Sequence, residues 1–159
     1  MMNYGLVLLF TVSCLQWIAI ESHPNGSPVC DATADELRKM SEPDGDPSSN
    51  AFSIDVQQKP DGQKDYEIRL IGDDYRGFLL YVEGDDGNRV GEWKSAKYLK
   101  AVSNKECNDG STITQVNKNP KTKDTVFTWT PPEDLDGGVV KAAIVVTMKE
   151  WYILEQPLS

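Results

Sequence analysis

The stretch that most constrains the fold is a run of five large apolar residues, FLLYV, at positions 78–82. Successive side chains of a strand point to opposite faces, so Phe78, Leu80 and Val82 lie on one face and the other two on the opposite face. A strand that is apolar on both faces is typical of the middle of a sheet that is covered on both sides. The run therefore predicts a buried central strand and not a surface offered to a partner. Arg76-Gly77 before it predicts a bend or bulge where the strand enters the sheet.

Most of the remaining chain also has the pattern of short strands. Apolar residues alternate with polar ones in five further segments, which are 52–56, 66–70, 90–93, 126–129 and a long final one from 140 to 148 that ends near Glu150-Trp151-Tyr152. Thr33-Ala34-Asp35-Glu36 fits a capping box, and with Leu37 and Met40 it predicts one short helix over 34–40. Turn-forming segments separate these elements, at 41–50, 60–62, 84–88 and 136–138. The pattern predicts an all-β, two-sheet antiparallel sandwich with at most one helix.

The N-terminus has the anatomy of a secretory signal peptide. Residues 5–20 are nearly all apolar and the small residue Ser22 follows, although no Lys or Arg precedes them. A membrane anchor is the alternative, but the segment is short for a span and lacks a basic flank. We therefore expect a signal peptide over 1–22, a single domain over 23–159, no transmembrane segment in that domain, and a secreted product.

The cysteines agree with export. After removal of Cys14 with the signal, Cys30 and Cys107 remain, and an even pair in an oxidising compartment predicts one disulfide. It would close a loop of roughly 80 residues, which the chain-entropy model values at about 4 kcal/mol. Two free thiols are the alternative. Asn25-Gly26-Ser27 is a possible N-glycosylation site, although Pro28 behind it reduces its expected use.

Charge and residue inventory restrict the function. A net charge of −9 with no compensating basic cluster disfavours nucleic acid as a partner. The only histidine is His23, so neither a Cys-His or Ser-His catalytic pair nor a histidine metal site can be assembled in the domain. Paired carboxylates stay possible in principle, but their spacing does not distinguish them from a solvated surface. We expect no enzyme activity and no cofactor.

Two other groups of residues could suggest ligands. The acids around Asp85 and Asp86 could be taken for a calcium loop, but the order of acids and glycine that such a loop needs is missing, so a solvated loop is the better interpretation. The large aromatics are expected in the core or at its rim and less often in a ligand platform; they are Tyr75, Trp93, Trp129, Trp151 and Tyr152.

The chain resembles the Reeler domain, the module found at the N-terminus of reelin. The resemblance covers about residues 28–155 and rests on a series of motifs: Cys30, Tyr75-Arg76-Gly77-Phe78-Leu79-Leu80, Val90-Gly91 with a following aromatic, Cys107, Val126-Phe127-Thr128-Trp129-Thr130-Pro131-Pro132, Gly138 and a closing aromatic pair. Two departures are visible. Thr114-Gln115 stands where the family commonly has Thr-His in the strand after the second cysteine, and Pro43-Asp44-Gly45 replaces another usual histidine, so no imidazole role carries over.

The resemblance implies an immunoglobulin-like sandwich and a binding role. A signal peptide followed by one such domain is similar to the insect defence proteins of the haemolymph, which implies binding to microbial surface glycoconjugates or to haemocytes, and support of nodulation. The alternative is an extracellular protein–protein module in matrix or developmental signalling. The ligand-binding residues stay unknown, and the loops 43–50, 84–89 and 131–138 are expected to share one end of the sandwich and to be natural candidates.

Overall fold

The structure, a computed structural model, describes residues 25–40, 50–60, 63–102, 107 and 110–158. In this part of the chain one helix is followed by nine strands. In chain order the elements are α1 (Ala34–Met40), β1 (Ser53–Gln58), β2 (Tyr66–Ile71), β3 (Gly77–Glu83), β4 (Glu92–Trp93), β5 (Leu99–Ala101), β6 (Ile113–Gln115), β7 (Phe127–Thr130), β8 (Val139–Thr147) and β9 (Glu150–Pro157). No helix in these residues is long and apolar enough to cross a membrane.

The strands form two antiparallel sheets that face each other. The first has the order β1-β2-β7-β4 and the second the order β5-β6-β3-β8-β9. The main hydrophobic core lies between them, since buried residues of both sheets form one cluster that includes Ile68, Phe127, Phe78 and Ile144. The predicted immunoglobulin-like antiparallel sandwich is confirmed, and so is the helix over 34–40.

Strand β3 is the central strand that its sequence predicts. It lies between β6 and β8, and every residue from Gly77 to Val82 is buried. Phe78, Leu80 and Val82 belong to the core between the sheets, whereas Leu79 and Tyr81 belong to a second cluster on the outer face. The chain bends just before β3. The backbone of Gly77 does not require glycine, since its φ is not positive. A glycine fits here because it is small, and an added Cβ would come within 3.3 Å of Val145.

The outer cluster is covered by the segment around α1. Leu37 is buried against the sheet, and the Thr33 hydroxyl accepts a hydrogen bond from the Glu36 backbone N–H at 3.3 Å, which caps the helix. The Cys30–Cys107 disulfide is present and joins residues 77 positions apart. It therefore holds the segment before α1 on the outer face of the five-stranded sheet.

The prediction of one long final strand is wrong. β8 ends at Thr147, the chain turns, and β9 returns along it from Glu150, with Trp151 opposite Val145. The turn contains no glycine or proline, and the Thr147 hydroxyl accepts a hydrogen bond from the Lys149 backbone N–H at 3.3 Å. Because apolar residues continue on both sides of it, the alternation in the sequence does not reveal this hairpin.

The turn after β3 is confirmed, but the strand that follows it changes sheets. The Gly84 N–H donates to the Asn88 carbonyl at 2.8 Å, and Glu83 pairs with Arg89. The chain then crosses to the other sheet, where β4 pairs with β7. Four predicted features fall outside the described residues, namely the signal peptide over 1–22, His23, the turn at 61–62 and Pro43-Asp44-Gly45.

Candidate functional site

A concave surface lies where edge strands of the two sheets meet. β4 is an edge of one sheet and β5 an edge of the other, and between them is a groove of about 710 Å³. We call it the edge groove; its lining includes Arg89, Glu92, Trp93, Ser95, Lys100, Thr130, Pro131, Pro132 and Glu133. Its volume is within the range of small-molecule sites in proteins, and its charges are of both signs.

Trp93 is the central apolar element of the edge groove. Its ring is half-buried, and the indole N–H donates to the Ser111 carbonyl at 2.8 Å, which fixes the orientation of the ring. Across the ladder Trp93 is opposite the fully buried Trp129, so the backbone at this point is anchored to the core. The groove therefore has a fixed aromatic surface beside charged and hydroxyl groups, an arrangement that suits a ligand with both apolar and hydrogen-bonding faces.

A buried carboxylate, that of Asp65, stabilises the strands that form one wall of the edge groove. Asp65 accepts a hydrogen bond from the Thr130 hydroxyl at 2.7 Å and forms an ion pair with Lys94. The Lys94 ammonium, and after it the Thr130 hydroxyl, hold the pKa of Asp65 below its usual range. This network ties the segment before β2 to β4 and β7.

Arg89 joins the groove to the disulfide. Its guanidinium donates to the Thr112 hydroxyl at 2.7 Å, to the Cys30 carbonyl at 2.7 Å and to the Asp31 carboxylate at 2.5 Å. It also lies 4.3 Å from the centre of the Tyr81 ring, close enough for a cation–π contact. The sequence gives no signal for this role, because the partners lie far away in the chain.

Two of the three predicted loops lie side by side. Loops 84–89 and 131–138 are neighbours, since a Cβ on Gly137 would lie 3.3 Å from the Asp85 carboxylate. The described end of the loop 43–50 leads into β1, where Ser53 pairs with Ile71 and Phe52 contacts the Tyr152 ring at the opposite end. The rest of this loop lies outside the described residues, so its placement stays a prediction. Among the described residues of the predicted loops, Arg89 and the segment 131–133 line the edge groove.

The predicted aromatics are mainly structural. Tyr75, Trp129, Trp151 and Tyr152 are buried, whereas Trp93 borders the groove. Burial raises the pKa of Tyr75, with an opposing contribution from the Thr125 side chain.

Two further predicted positions have clear surroundings. Asn25 is exposed, and its glycosylation stays a prediction. Gln115, at the position of the family histidine, is buried, and its side-chain oxygen accepts hydrogen bonds from the Phe78 N–H at 2.9 Å and the Thr114 hydroxyl at 2.8 Å. The amide at this position therefore stabilises the five-stranded sheet. Among the described residues no group of three His, Cys, Asp or Glu side chains could hold a metal ion.

The comparison with known families agrees with this architecture. The model of the Reeler domain matches residues 30–159. The chain belongs to the Reeler domain family. Reeler structures also match the fold: the Reelin-N domain of F-spondin has a TM-score of 0.56 and 20% identity over 77% of this chain and 93% of its own. The reeler domain of human F-spondin, fragment 1, has a TM-score of 0.54 and 18% identity over 71% of this chain and 91% of its own. No curated protein sequence matches the chain.

Two of the motifs on which the Reeler resemblance rests meet in the core. Gly91 has φ +77, and a Cβ on it would fall inside 3.0 Å of the Trp129 ring. The Trp129 indole N–H in turn donates to the Val90 carbonyl at 3.1 Å. The Val90-Gly91 step and the Trp129 of the TWTPP segment thus form one packing unit that stabilises the fold.

Proposed function

We propose that this Reeler protein is a secreted, non-catalytic recognition factor of the haemolymph that binds glycoconjugates of microbial surfaces and supports haemocyte aggregation. The observation that carries the proposal is the edge groove, where the fixed ring of Trp93 lies beside charged and hydroxyl groups. A sugar ring has an apolar face that can stack on an indole and hydroxyls that can bond to the groups around it. Glycosylation at the exposed Asn25 and removal of residues 1–22 are parts of the same proposal.

The net charge sets a condition on this binding. A chain with a net charge of −9 is repelled by anionic envelopes such as those bearing lipopolysaccharide or lipoteichoic acid. Contact must therefore be made by a local surface, and the edge groove offers Lys100 beside Glu92 and Glu133, because Arg89 is already paired with Asp31. Binding to an uncharged β-glucan should be almost independent of salt, whereas binding to an anionic polymer should strengthen with added salt or calcium, because screening reduces the repulsion.

The test is binding of the purified secreted protein to intact bacteria and to beads that carry lipopolysaccharide, lipoteichoic acid or β-glucan. The groove variant removes Glu92 and Lys100 together by substitution with alanine. Its control removes Lys123 and Asp124, which are exposed beyond the other end of β7 and do not line the groove. Each double substitution removes one positive and one negative charge, so both variants keep the same net charge.

Saturable binding that the groove variant weakens at least about tenfold, and that the control leaves unchanged, supports the proposal. Absence of saturable binding to every bead and cell refutes the function. Equal losses in both variants refute the assignment to the edge groove.

The second candidate is an extracellular protein–protein module in matrix or developmental signalling. It is favoured by membership of the Reeler family, since a fold of this kind can carry more than one function. Transcription after bacterial challenge separates the two: induction favours the immune role, and an unchanged transcript favours the module.

A further inference from the structure

A second concavity lies under the helix, on the outer face of the five-stranded sheet. It is a cavity of about 130 Å³, and it shares no lining residue with the edge groove. We call it the helix pocket; its lining is mostly apolar and consists of Ser27, Pro28, Leu37, Met40, Arg76, Gly77, Phe78, Leu79, Gln115, Lys118, Ala143, Val145, Val146, Thr147, Met148 and Trp151.

The pocket exists because two neighbouring strands carry small residues where the cover is incomplete. On the outer face of β3 and β8, Gly77 has no side chain and Ala143 has only a methyl group, while α1 buries Leu37 nearby. The volume is close to that of the engineered apolar cavity of about 150 Å³ that stays dry and binds benzene. The helix pocket thus has room for a segment of about four to six carbon atoms.

Two side chains that line the helix pocket can adapt to apolar ligands of different shape. Met40 and Met148 are half-buried and line the pocket from α1 and from the turn after β8. Methionine is unbranched and polarizable, so it adapts to ligands of different shape and is common on surfaces that bind apolar chains.

The polar part of the rim is positive. Arg76 and Lys118 line the pocket, both are exposed, and neither forms an ion pair within the described residues. Arg76 donates to the Lys118 carbonyl at 3.4 Å. Buried Lys121 fixes the same corner, because its ammonium donates to the carbonyls of Arg76, Asn117 and Asn119 at 2.9, 2.6 and 2.8 Å. In a chain of net charge −9, this corner is a local exception.

From this juxtaposition we propose that the helix pocket binds the acyl chain of an anionic single-chain amphiphile, with its head group held by Arg76 and Lys118. The chain enters between the two methionines and lies over Gly77 and Ala143. A carboxylate or a phosphate satisfies the two cations equally well, since both accept charge-assisted hydrogen bonds. The inference does not depend on the proposed function, because the edge groove and the helix pocket are separate.

Isothermal titration calorimetry of the purified secreted protein tests the site, with the alkanoates from butanoate to dodecanoate as probes. Until the pocket is full, each added methylene should strengthen binding about fourfold, and the gain should stop after about six carbons. Dodecanol, which lacks the charge, should bind more weakly than dodecanoate. The preference for dodecanoate should shrink between about 20 mM and about 300 mM NaCl, because salt screens the rim.

Dodecyl phosphate and lysophosphatidylglycerol distinguish the source of the ligand. Binding of dodecyl phosphate but not of the lysophospholipid assigns a free amphiphile, whereas binding of both admits a membrane-derived lipid. Affinity that does not change along the alkanoate series overturns the proposal, and so does dodecanol binding as strong as dodecanoate binding.

The variants locate the site. Val145→Phe adds a ring beside Gly77 and should weaken dodecanoate binding at least about tenfold by filling the pocket. Ile153→Phe is the matched control. Ile153 lies in β9 and is half-buried on the same outer face of the sheet as Val145, but it does not line the pocket. Arg76→Ala with Lys118→Ala should reduce dodecanoate binding and leave dodecanol binding unchanged. Equal effects of the two phenylalanine variants overturn the assignment to this pocket.

Discussion

The substitution Gly91→Ala gives the sharpest test of how the sandwich is packed. Gly91 adopts φ +77, and a Cβ there would fall inside 3.0 Å of the fully buried Trp129 ring. The left-handed backbone costs an L-residue about 1–2 kcal/mol, and forcing extra atoms into a packed core costs a further 1–3 kcal/mol or so. Trp129 cannot move away easily, because its indole N–H donates to the Val90 carbonyl at 3.1 Å. We therefore expect a loss of about 2–5 kcal/mol out of a total stability of about 5–15 kcal/mol.

Gly87→Ala is the matched control. Gly87 has φ +76, almost the same as Gly91, but nothing lies within 4 Å of the position of its Cβ. It should lose only the backbone term of about 1–2 kcal/mol. Urea denaturation followed by far-ultraviolet circular dichroism measures both variants without relying on tryptophan fluorescence. If the two variants unfold with the same free energy, the Trp129 ring has room at Gly91 and the packing argument is refuted.

Three other predictions follow from the polar contacts and the disulfide. Arg89→Lys should lose about 2–3 kcal/mol of unfolding free energy, because one ammonium cannot replace the guanidinium at its separate acceptors. Urea denaturation measures this loss, and full stability of the variant would contradict the role of Arg89. Burial lowers the pKa of Lys121 to about 8, so above that pH the folded state binds fewer protons than the unfolded state. The free energy of unfolding should therefore rise from about pH 8 to pH 9.5. Lys121→Met should remove this rise. Reduction of Cys30–Cys107, which closes a long loop, should cost about 4 kcal/mol, measured as the shift of the urea midpoint with and without reductant.

Acid pH provides a separate test of the support behind the edge groove. The pKa of Asp65 is held below its usual range by Lys94 and Thr130, so its contribution is present above the unfolded pKa and is lost as the pH falls through the folded pKa. Asp65→Asn should lower the free energy of unfolding at neutral pH and flatten its decline below about pH 4. A decline as steep as that of the unchanged protein would contradict this assignment.

The strands that were predictable are those whose burial repeats with a regular period. β3 could be recognised because it is apolar on both faces, and α1 because Thr33 caps it. β5 has three residues, too few to show alternation, and the turn between β8 and β9 has no glycine or proline. Local patterns carry no information about either feature.

The candidate sites depend on register, and this is why the sequence predicted so little of them. The edge groove forms only because β4 leaves β3 and pairs with β7, which brings Trp93 beside the segment 131–133. The helix pocket forms only because Gly77 and Ala143 lie on the same face of adjacent strands. Each residue is unremarkable in its own segment, so the chemistry appears when distant segments are brought together.

Several residues of the motifs that identify the Reeler family stabilise the fold. Gly91 and Trp129 are packed together in the core, Leu80 is buried in β3, and the Cys30–Cys107 disulfide holds the segment before α1 on the sheet. Substitution of any of these should change stability before it changes recognition. A change of ligand between family members should instead arise from residues that the core leaves free, such as Lys100 in the edge groove and Lys118 at the helix pocket. Variants at these two positions should fold like the unchanged protein and differ from it in binding, and a loss of stability equal to that of Gly91→Ala would contradict this division.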